Sequence, residues 1–466
     1  MTNLTAENIL KANKEKHSDN TDSGNGKLSI SIDPKNVQSE LSKHMLVDGF
    51  DITIDIEKSK GAYIYDSKHG KNYLDFFTFV ASHPLGMNHP KLNNEEFIRK
   101  IGKIAVNKPS LSDIYTEVQA EFVDTFFKIA VPDYFKYSFY IEGGALAVEN
   151  TLKASIDWKV RKNFKKGYKE EKGHQIIHFK EAFHGRSGYT MSMTNTDPNK
   201  ILYYPKFKWP RIENPKATFP LNEENLKNVT TAEERAVNQI KEALAANKDD
   251  IAAVIIEPIQ GEGGDNQFRK EFFIKLRELC DENEMMLIFD EVQTGIALTG
   301  KWWAHMHYVQ PDLIAFGKKT QVCGILSTGR IDEIEDNVFH LPSRINSTWG
   351  GNMVDMARFT KILEIIQEED LVKNCEVMGE YLQNKLRDLS GKYPGKISNA
   401  RGLGLFSAFD AADGKMRDKI KTGAMENELL ILGSGGKSIR FRPPVNITSA
   451  EIDKGIEILD KVISSI

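Results

Sequence analysis

The chain of 466 residues is 40% hydrophobic, and its 62 Lys and Arg residues nearly balance its 66 Asp and Glu residues, for a formal net charge of −4. That length supports a large buried core, either divided over about three domains or fused into one catalytic unit with a smaller lobe. The balanced charge argues against a nucleic-acid-binding protein that works through a broad basic face, although small anionic ligands remain possible.

Three widely spaced cysteines, Cys280, Cys323 and Cys375, form no CxxC pair and no zinc-binding pattern. A sparse and odd set of cysteines is typical of a reducing compartment. Residues 1–27 are polar and lack the apolar region of a secretory signal, so we expect a flexible N-terminal arm that is either partly disordered or ordered on a partner. No run of about 18 apolar residues occurs, so the sequence predicts no membrane span and a cytoplasmic location.

The first regular pattern along the chain is an alternation over Asp51–Phe79, broken at residues 67–70, which predicts a β-hairpin or small meander. A short strand over Tyr137–Ile141 then leads through a glycine turn into a helix over Ala145–Phe164. Further strands are predicted at Gln175–Phe179, Ile251–Glu257, Met285–Asp290 and Asp312–Phe316, with a helix at Phe272–Asn283. Strands that alternate with helices indicate an α/β fold with a largely parallel sheet.

From about residue 352 the pattern changes to long helices followed by short strands. The predicted elements are helices at Met353–Gln367 and Leu371–Leu389, strands at Gly402–Phe409, Leu429–Leu432 and Ser438–Phe441, and a terminal helix from about Ser449. This order predicts a second, smaller α+β domain.

Three chemically suggestive features lie at predicted strand ends, where α/β sheets bind their ligands. The glycine turn Glu142-Gly143-Gly144-Ala145 begins a helix, and its free N–H groups suit a phosphate, although an ordinary strand–helix turn explains it as well. Asp290 ends an apolar strand and needs a cationic partner, which could be a pyridinium nitrogen, a structural ion pair or a metal. The absence of a GxxxxGK[ST] loop weakens the nucleotide-hydrolysing alternative.

The third feature at a strand end is Lys318, which directly follows Gly317 and the strand DLIAF. A lysine at the mouth of a site can lose its proton and attack a carbonyl carbon. Most lysines are solvated surface residues, and the neighbouring Lys319 is a rival for the same role.

A fourth feature is a set of three arginines: Arg186 follows an aromatic-His-Gly stretch, and Arg440 and Arg442 lie near the end of the chain. Each can bind a carboxylate through two parallel hydrogen bonds, although an interdomain ion pair is common for such residues. No single feature is specific. Their order is informative: glycine turn, aromatic-His, buried Asp290, Lys318 after 28 residues, and then a terminal arginine.

This order resembles the class III, or ω-, aminotransferases of pyridoxal-phosphate (PLP) fold type I. The resemblance extends from about Gly61 to Asn446, and three stretches carry most of it: LIFDEVQTG (Leu287–Gly295), AFGKKTQVCG (Ala315–Gly324) and NSTWGGN (Asn346–Asn352). Within the family, IEGGALAVEN, FHGRSGYT and EPIQGEGGDN look most like the L-lysine 6-aminotransferases. The family's Gly-Arg-Thr-Gly stretch reads Ala-Leu-Thr-Gly at residues 297–300 here, and the loss of that arginine is a feature of the lysine branch.

The resemblance implies roles for individual residues at the cofactor. Lys318, rather than Lys319, would hold PLP covalently and move the proton, while Asp290 would keep the ring nitrogen protonated. The remaining cofactor-binding residues would be Gly144 and Ala145 at the phosphate, Phe183 stacked on the ring, Gln293 at its hydroxyl side, and Thr348 at the phosphate of the other subunit. The implied assembly is therefore a homodimer with a shared active site.

The same resemblance implies how L-lysine and 2-oxoglutarate would bind. Arg186 would hold the α-carboxylate of lysine, and Arg440 would hold a carboxylate of 2-oxoglutarate. Glu262 would mask Arg440 while lysine is bound, with Glu257 as a further acidic candidate. Gln293 would also face the substrate.

The resemblance also implies a division of the chain into an arm (residues 1–27), an N-terminal segment that packs with the small domain (28–80), a large PLP-binding domain (81–350) and a C-terminal small domain (351–466). Two other functions stay open. An ornithine or other ω-amino-acid aminotransferase would share the cofactor site, and a PLP-fold protein without catalysis would serve as a binding module.

Overall fold

The computed structural model describes residues 32–466, so the predicted N-terminal arm, residues 1–27, lies outside the described residues. The described chain forms two compact units. The smaller comprises the described residues up to Ile54 together with Asp66–Gly70, and it contains a short helix, α1 (Val37–Ser42). The larger comprises Asp55–Tyr65 and Lys71–Ile466 and holds the elements that form the site.

The strands fall into four sheets. In chain order they are β1 (Ile54–Lys60), β2 (Tyr63–Asp66), β3 (Lys71–Asp75), β4 (Phe135–Ile141), β5 (Gln175–Phe179), β6 (Arg211–Ile212), β7 (Ile251–Ile256), β8 (Ile259–Gln260), β9 (Asn266–Gln267), β10 (Met286–Asp290), β11 (Leu313–Phe316), β12 (Cys323–Thr328), β13 (Ile397–Leu403), β14 (Phe406–Ala411), β15 (Leu429–Leu430), β16 (Leu432–Ser434) and β17 (Ser438–Phe441).

The longer helices after α1 lie between and after these strands. They are α2 (Glu95–Ala105), α3 (Glu117–Ile129), α4 (Gly144–Lys165), α5 (Gly188–Met193), α6 (Glu223–Ala246), α7 (Lys270–Glu282), α8 (Met353–Glu368), α9 (Leu371–Lys392), α10 (Gly414–Glu426) and α11 (Ser449–Ser465). No helix among the described residues is long and apolar enough to cross a bilayer.

The central sheet has seven strands in the order β4-β12-β11-β10-β7-β5-β6. Only β12 runs antiparallel to its neighbours, and the other six strands share one direction. The prediction of an α/β fold with a largely parallel sheet is therefore confirmed. Because the six parallel strands end at the same edge, the loops that follow them meet there.

The central sheet is buried on both faces, as β10 illustrates. Met286 and Ile288 pack into the hydrophobic cluster that contains residues of α4, whereas Leu287 and Phe289 pack into a second cluster on the other face. Side chains alternate between the faces of a strand, so a strand covered on both faces reads as one continuous apolar run. That physical rule explains why the MMLIFD stretch was readable as a strand.

A second sheet in the C-terminal part has the order β13-β14-β17-β16 and is antiparallel throughout. The prediction of a single strand over Gly402–Phe409 is wrong, because the chain reverses inside that stretch. Leu403 pairs with Phe406 across a tight turn, and Gly404 takes a φ of +55° there. This left-handed conformation is the one that glycine adopts without a steric penalty.

The prediction of one strand over Leu429–Leu432 is also wrong. The first two residues form β15, which lies parallel to β3 with Leu429 opposite Leu74, whereas Leu432 begins β16 in the C-terminal sheet. The chain thus passes from one sheet to another within four residues. The predicted meander over Asp51–Phe79 corresponds to β1, β2 and β3, which lie side by side.

Several elements were not predicted from the sequence. Helix α6 has only four buried residues among 24, so its apolar signal is weak. Strand β12 is the antiparallel insertion in the central sheet and follows directly on the loop that carries Lys318. Helix α10, with two buried residues, was missed for the same reason as α6.

Candidate active site

The turns that follow β4, β10 and β11 pack against one another at the carboxyl edge of the central sheet. A Cβ atom placed on Gly144 would lie 2.9 Å from Cγ1 of Val292, and one placed on Gly317 would lie 3.4 Å from the same atom. Val292 therefore fits between the two glycines, which leaves no room for larger residues at Gly144. The glycine turn, the DEVQTG stretch and the lysine loop form one site.

The N-terminus of α4 is open on its approach side. Gly143 precedes this 22-residue helix with a φ of +97°, no side chain caps the helix, and a Cβ on Gly143 would meet nothing within 4 Å. On the opposite side, Gly185 packs so closely against Ala145 that a Cβ on Gly185 would collide with it. Free backbone N–H groups beside open space form a suitable place for an anion.

Asp290 is 6% exposed and is held from two sides. Its Oδ2 lies 2.8 Å from Nδ1 of His184, and its Oδ1 accepts a hydrogen bond of 3.1 Å from the Val292 N–H. His184 is also buried, and its Nε2 has no hydrogen-bond partner within residues 32–466. A buried carboxylate needs partners to offset its desolvation, and His184 supplies one that sequence analysis mentioned only as part of an aromatic-His pattern.

The residue after Asp290 fixes the turn that carries it. The carboxylate of Glu291 accepts hydrogen bonds from the backbone N–H groups of Ala304 and His305, at 3.1 and 2.7 Å. It also lies 2.9 Å from Nδ1 of His305. Burial raises the pKa of Glu291, but the contacts with His305 outweigh it and hold the pKa below its usual range.

Glu257 directly follows β7 and lies near the charges of Asp290 and His184. Its carboxylate accepts hydrogen bonds from the Phe183 N–H at 2.9 Å and from the Gly261 N–H at 3.1 Å. Burial raises the pKa of Glu257 to about 7, against the opposing effect of His184. Glu257 therefore positions the loop of Phe183 and the start of the Glu262 loop, rather than contacting Glu262 directly.

The structure distinguishes the two candidate lysines. Lys319 is 1% exposed, and its Nζ donates a hydrogen bond of 2.6 Å to the carbonyl oxygen of Gln293. Lys318 is half-buried, and its Nζ has no hydrogen-bond partner within the described part of the chain. Burial and the nearby charge of Arg440 lower the pKa of Lys318 to about 8, so its amine is available as a nucleophile near neutral pH.

Lys318 is presented by an unusual backbone. It has a φ of +54° and begins a single 3₁₀ turn that Gly317 introduces in extended conformation. A left-handed conformation is costly for a residue with a Cβ atom, and it occurs mostly where the surrounding structure enforces it for function.

Gln293 is anchored by Arg442 rather than free in the site. Its Oε1 accepts hydrogen bonds from Nη2 and Nε of Arg442 at 3.0 and 3.3 Å. Arg442 is 1% exposed, forms an ion pair with Asp265, and lies over the ring of Phe406 with Cζ 3.3 Å from its centroid. Of the two terminal arginines, Arg442 is therefore structural. Asp265 was missed, although it lies within the quoted EPIQGEGGDN motif.

Arg440 and Glu262 form the ion pair that the sequence predicted. Nη2 of Arg440 lies 3.2 Å from Oε2 of Glu262, and Arg440 is 5% exposed. The other carboxylate oxygen, Oε1, lies 2.5 Å from Nζ of Lys200, a residue that sequence analysis missed. Burial raises the pKa of Glu262, but the charges of Arg440 and Lys200 outweigh it and lower the pKa overall.

Three predicted site residues make few polar contacts in this single chain. The ring of Phe183 is partly buried and lies 5.4 Å from Nζ of Lys200. Arg186 is exposed. Thr348 is exposed in the loop before α8.

A comparison with protein-family models matches residues 46–463 to Aminotransferase class-III. The chain belongs to this family. Among curated class III relatives, the L-lysine-epsilon aminotransferase of Mycobacterium tuberculosis (strain H37Rv) is 47% identical over 425 residues, which are 91% of this chain and 94% of that protein. The enzyme of the same name from Amycolatopsis lactamdurans is 44% identical over 441 residues, 93% of this chain and 96% of its own length.

Solved structures of class III aminotransferases share the fold. The lysine aminotransferase of M. tuberculosis, solved in the internal aldimine form, matches with a TM-score of 0.91 at 45% identity, covering 93% of this chain and all of that one. An ornithine aminotransferase from Toxoplasma gondii matches with a TM-score of 0.77 at 22% identity, covering 99% of both chains, which shows the fold alone. The PLP-dependent transferase fold, expected as fold type I, and the cofactor PLP are thereby confirmed.

The geometry of the site suits three chemical groups of PLP. The uncapped start of α4, with Gly144 and Ala145 beside open space, suits the phosphate. The buried carboxylate of Asp290 suits a protonated ring nitrogen, and the unpartnered amine of Lys318 suits a carbonyl carbon. The described residues of this aminotransferase therefore offer a partner for each of these three groups.

Proposed function

We propose that this class III aminotransferase is an L-lysine 6-aminotransferase. It moves the ε-amino group of L-lysine to 2-oxoglutarate and gives 2-aminoadipate 6-semialdehyde and L-glutamate in two half-reactions. The aldehyde then cyclises to piperideine-6-carboxylate, because its own α-amine lies within ring-closing reach. The names of the 44–47% identical relatives support lysine as the donor, and the ion pair of the partly buried Glu262 with the buried Arg440 is the structural observation that carries the proposal.

The Glu262–Arg440 pair explains how one site can bind two substrates with different chemical groups at the reacting carbon. 2-Oxoglutarate has a carboxylate next to its keto group, which an arginine beside the reacting carbon binds well. Lysine presents an apolar stem and an amine at the same place, where an uncovered guanidinium would be poorly matched. A carboxylate that covers Arg440 during one half-reaction and leaves during the other lets one site accept both substrates.

The residues at the cofactor divide the chemistry of the amino transfer. PLP, when bound, supplies a carbonyl carbon that takes up the amine and a ring that accepts an electron pair. Lys318 holds the cofactor through its Nζ and then moves a proton between the substrate carbon and the cofactor. Asp290, which is buried in contact with His184, stabilises a positive charge on the ring nitrogen.

Three further residues orient the reactants in this proposal. Phe183 stacks on the ring of the cofactor, and Gln293, held by Arg442, faces its hydroxyl side and the substrate. Arg186 binds the α-carboxylate of lysine, which leaves the ε-amine to reach the cofactor. The exposed position of Arg186 is compatible with this role.

The active enzyme is proposed to be a homodimer in which Thr348 binds the phosphate of the partner's cofactor. The exposure of Thr348 in a single chain is compatible with this role. We assign residues 81–350 to the PLP-binding domain and residues 351–466 to the smaller domain. The three unpaired cysteines support a cytoplasmic location.

A comparison of three amines as substrates tests the proposed donor. Purified holoenzyme and 2-oxoglutarate are given L-lysine, L-ornithine or 4-aminobutyrate in separate reactions, and glutamate and the cyclised product are followed by mass spectrometry. We expect turnover mainly on lysine. Faster turnover on ornithine or 4-aminobutyrate would keep the cofactor chemistry and contradict the assignment of the donor.

A further inference from the structure

Lys200 is a charged residue at the substrate end of the site that belongs to none of the recognised motifs. It ends a short 3₁₀ turn, Pro198–Lys200, which follows α5 in the chain. Its Nζ lies 2.5 Å from Oε1 of Glu262 and 5.4 Å from the centroid of the Phe183 ring. Lys200 therefore contacts both the carboxylate that covers Arg440 and the aromatic ring expected to stack on the cofactor.

The carboxylate of Glu262 is shared unequally between its two cations. The contact with Lys200 is 2.5 Å, whereas the contact with Nη2 of Arg440 is 3.2 Å. Nε and Nη1 of Arg440 have no hydrogen-bond partner within residues 32–466. Glu262 thus occupies one nitrogen of the guanidinium and leaves the rest of its hydrogen-bonding capacity for another anion.

The backbone beneath Glu262 is fixed, so only its side chain can change partners. The Glu262 carbonyl oxygen accepts a hydrogen bond of 2.9 Å from the Gly435 N–H. The neighbours Gly261 and Gly263 pack so closely against the side chain of Gln293 and the backbone of Glu181 that a Cβ on either would collide. A swing of the carboxylate about its own side-chain torsions is the motion that remains.

We propose that Lys200 is a positioning residue that holds Glu262 after a substrate carboxylate has displaced it from Arg440. This inference rests on the proposed function. A carboxylate removed from its only cation in a partly buried site would be left unpaired, which is costly. Because Glu262 already contacts Lys200, its release from Arg440 leaves one ion pair intact and requires no new partner. Lys200 thereby makes the site easier for a dicarboxylate to enter.

We expect the effect of a Lys200 substitution on dicarboxylate binding to depend on the carboxylate of Glu262. In Lys200→Met, Glu262 has Arg440 as its remaining partner in this group and is harder to displace, so binding of a dicarboxylate weakens by about tenfold. In the Glu262→Gln background no carboxylate has to move, so the same change at Lys200 alters binding by less than about twofold. Lys200→Arg keeps the cation and restores binding to within about threefold of the parent.

Isothermal titration calorimetry of the holoenzyme with glutarate measures this binding without turnover. Glutarate carries the two carboxylates of 2-oxoglutarate and lacks the reacting keto group. Lys216→Met is the matched control, because Lys216 forms an ion pair of 2.6 Å with Glu181, outside the Glu262–Arg440 contact. Values of kcat/KM for 2-oxoglutarate and for lysine complete the test, and we expect Lys200→Met to lower the first more than the second.

Equal losses of glutarate affinity in the parent and Glu262→Gln backgrounds would overturn the proposal, since Lys200 would then act only as a distant charge. No loss in the parent background, or a loss as large in Lys216→Met, would overturn it as well. Lys200→Gln repeats the cycle if Lys200→Met does not fold. The glutarate cycle is independent of the amine donor, so its failure is distinguishable from failure of lysine to react in the parent enzyme.

Discussion

The two ends of the site are held together in different ways. At the cofactor end, buried groups have fixed partners supplied by strand ends, as in the contact of Asp290 with His184. At the substrate end, a single carboxylate, Glu262, is shared by two cations that come from separate parts of the chain, Lys200 and Arg440. Fixed charges suit a cofactor that stays, whereas a shared and displaceable carboxylate suits two substrates that alternate.

The largest loss of turnover is expected from removal of Lys318, the proposed nucleophile at the cofactor end. Lys318→Ala should reduce turnover by at least about 10⁴-fold, because both the covalent hold on the cofactor and the proton transfer are lost. Steady-state assays with lysine and 2-oxoglutarate measure this loss. Lys319→Met is the matched control, and a comparable loss of turnover in a folded Lys319→Met protein would contradict the choice of Lys318.

A somewhat smaller loss is expected at Asp290. Asp290→Asn removes the negative charge opposite the ring nitrogen while it keeps the size of the side chain, and turnover should fall by about 10²- to 10³-fold. The absorption spectrum of bound PLP reports the same change independently of turnover. Normal turnover with an unchanged spectrum would show that Asp290 is only a structural partner of His184.

The pH dependence of cofactor attachment tests the environment of Lys318. Only the neutral amine attacks a carbonyl carbon, so the association rate of apoenzyme with PLP should rise with pH and level off above the pKa of about 8. Between pH 6 and pH 8 the rise should be about 50-fold, because the neutral fraction grows from about 1% to about half. A rate that keeps rising in proportion to hydroxide up to pH 10 would indicate an ordinary, solvated lysine.

At the substrate end, the expected effect on turnover is smaller and differs between the two substrates. Glu262→Gln leaves the charge of Arg440 uncovered, so kcat/KM for lysine should fall by about tenfold while kcat/KM for 2-oxoglutarate changes little or rises. Parallel steady-state titrations of the two substrates measure both values. Equal losses for both substrates would mean that Glu262 supports the site as a whole and does not discriminate between them.

The sequence predicted the residues at the cofactor end of the site better than those at the substrate end. Asp290 ends strand β10 and Lys318 lies two residues after strand β11, so strand patterns alone placed them at the same edge of the sheet. The family resemblance was needed to choose between Lys318 and Lys319. The amine of Lys319 is held by a hydrogen bond to the carbonyl oxygen of Gln293, which lies 26 residues earlier in the chain. Contacts of that range leave no periodic signal in a single sequence.

Lys200 could not be predicted because its proposed role depends on two loops and strand β17, which meet only in the folded chain. It lies 62 residues before Glu262, and nothing in the surrounding Asp-Pro-Asn-Lys stretch indicates a site. The strand errors at residues 402–409 and 429–432 have a similar origin, since tight turns and sheet changes within apolar stretches look like continuous strands. Sequence patterns locate strand ends well and partners across loops poorly.

Isotope transfer from lysine shows which of its two amino groups the enzyme moves. L-lysine labelled with ¹⁵N only at the ε-position is incubated with 2-oxoglutarate and the holoenzyme, and the glutamate is analysed by mass spectrometry. We expect glutamate to acquire the label and the cyclised product to have lost it. Unlabelled glutamate, with the label retained in the product, would show that the α-amino group is transferred and would contradict the proposed orientation of lysine in the site.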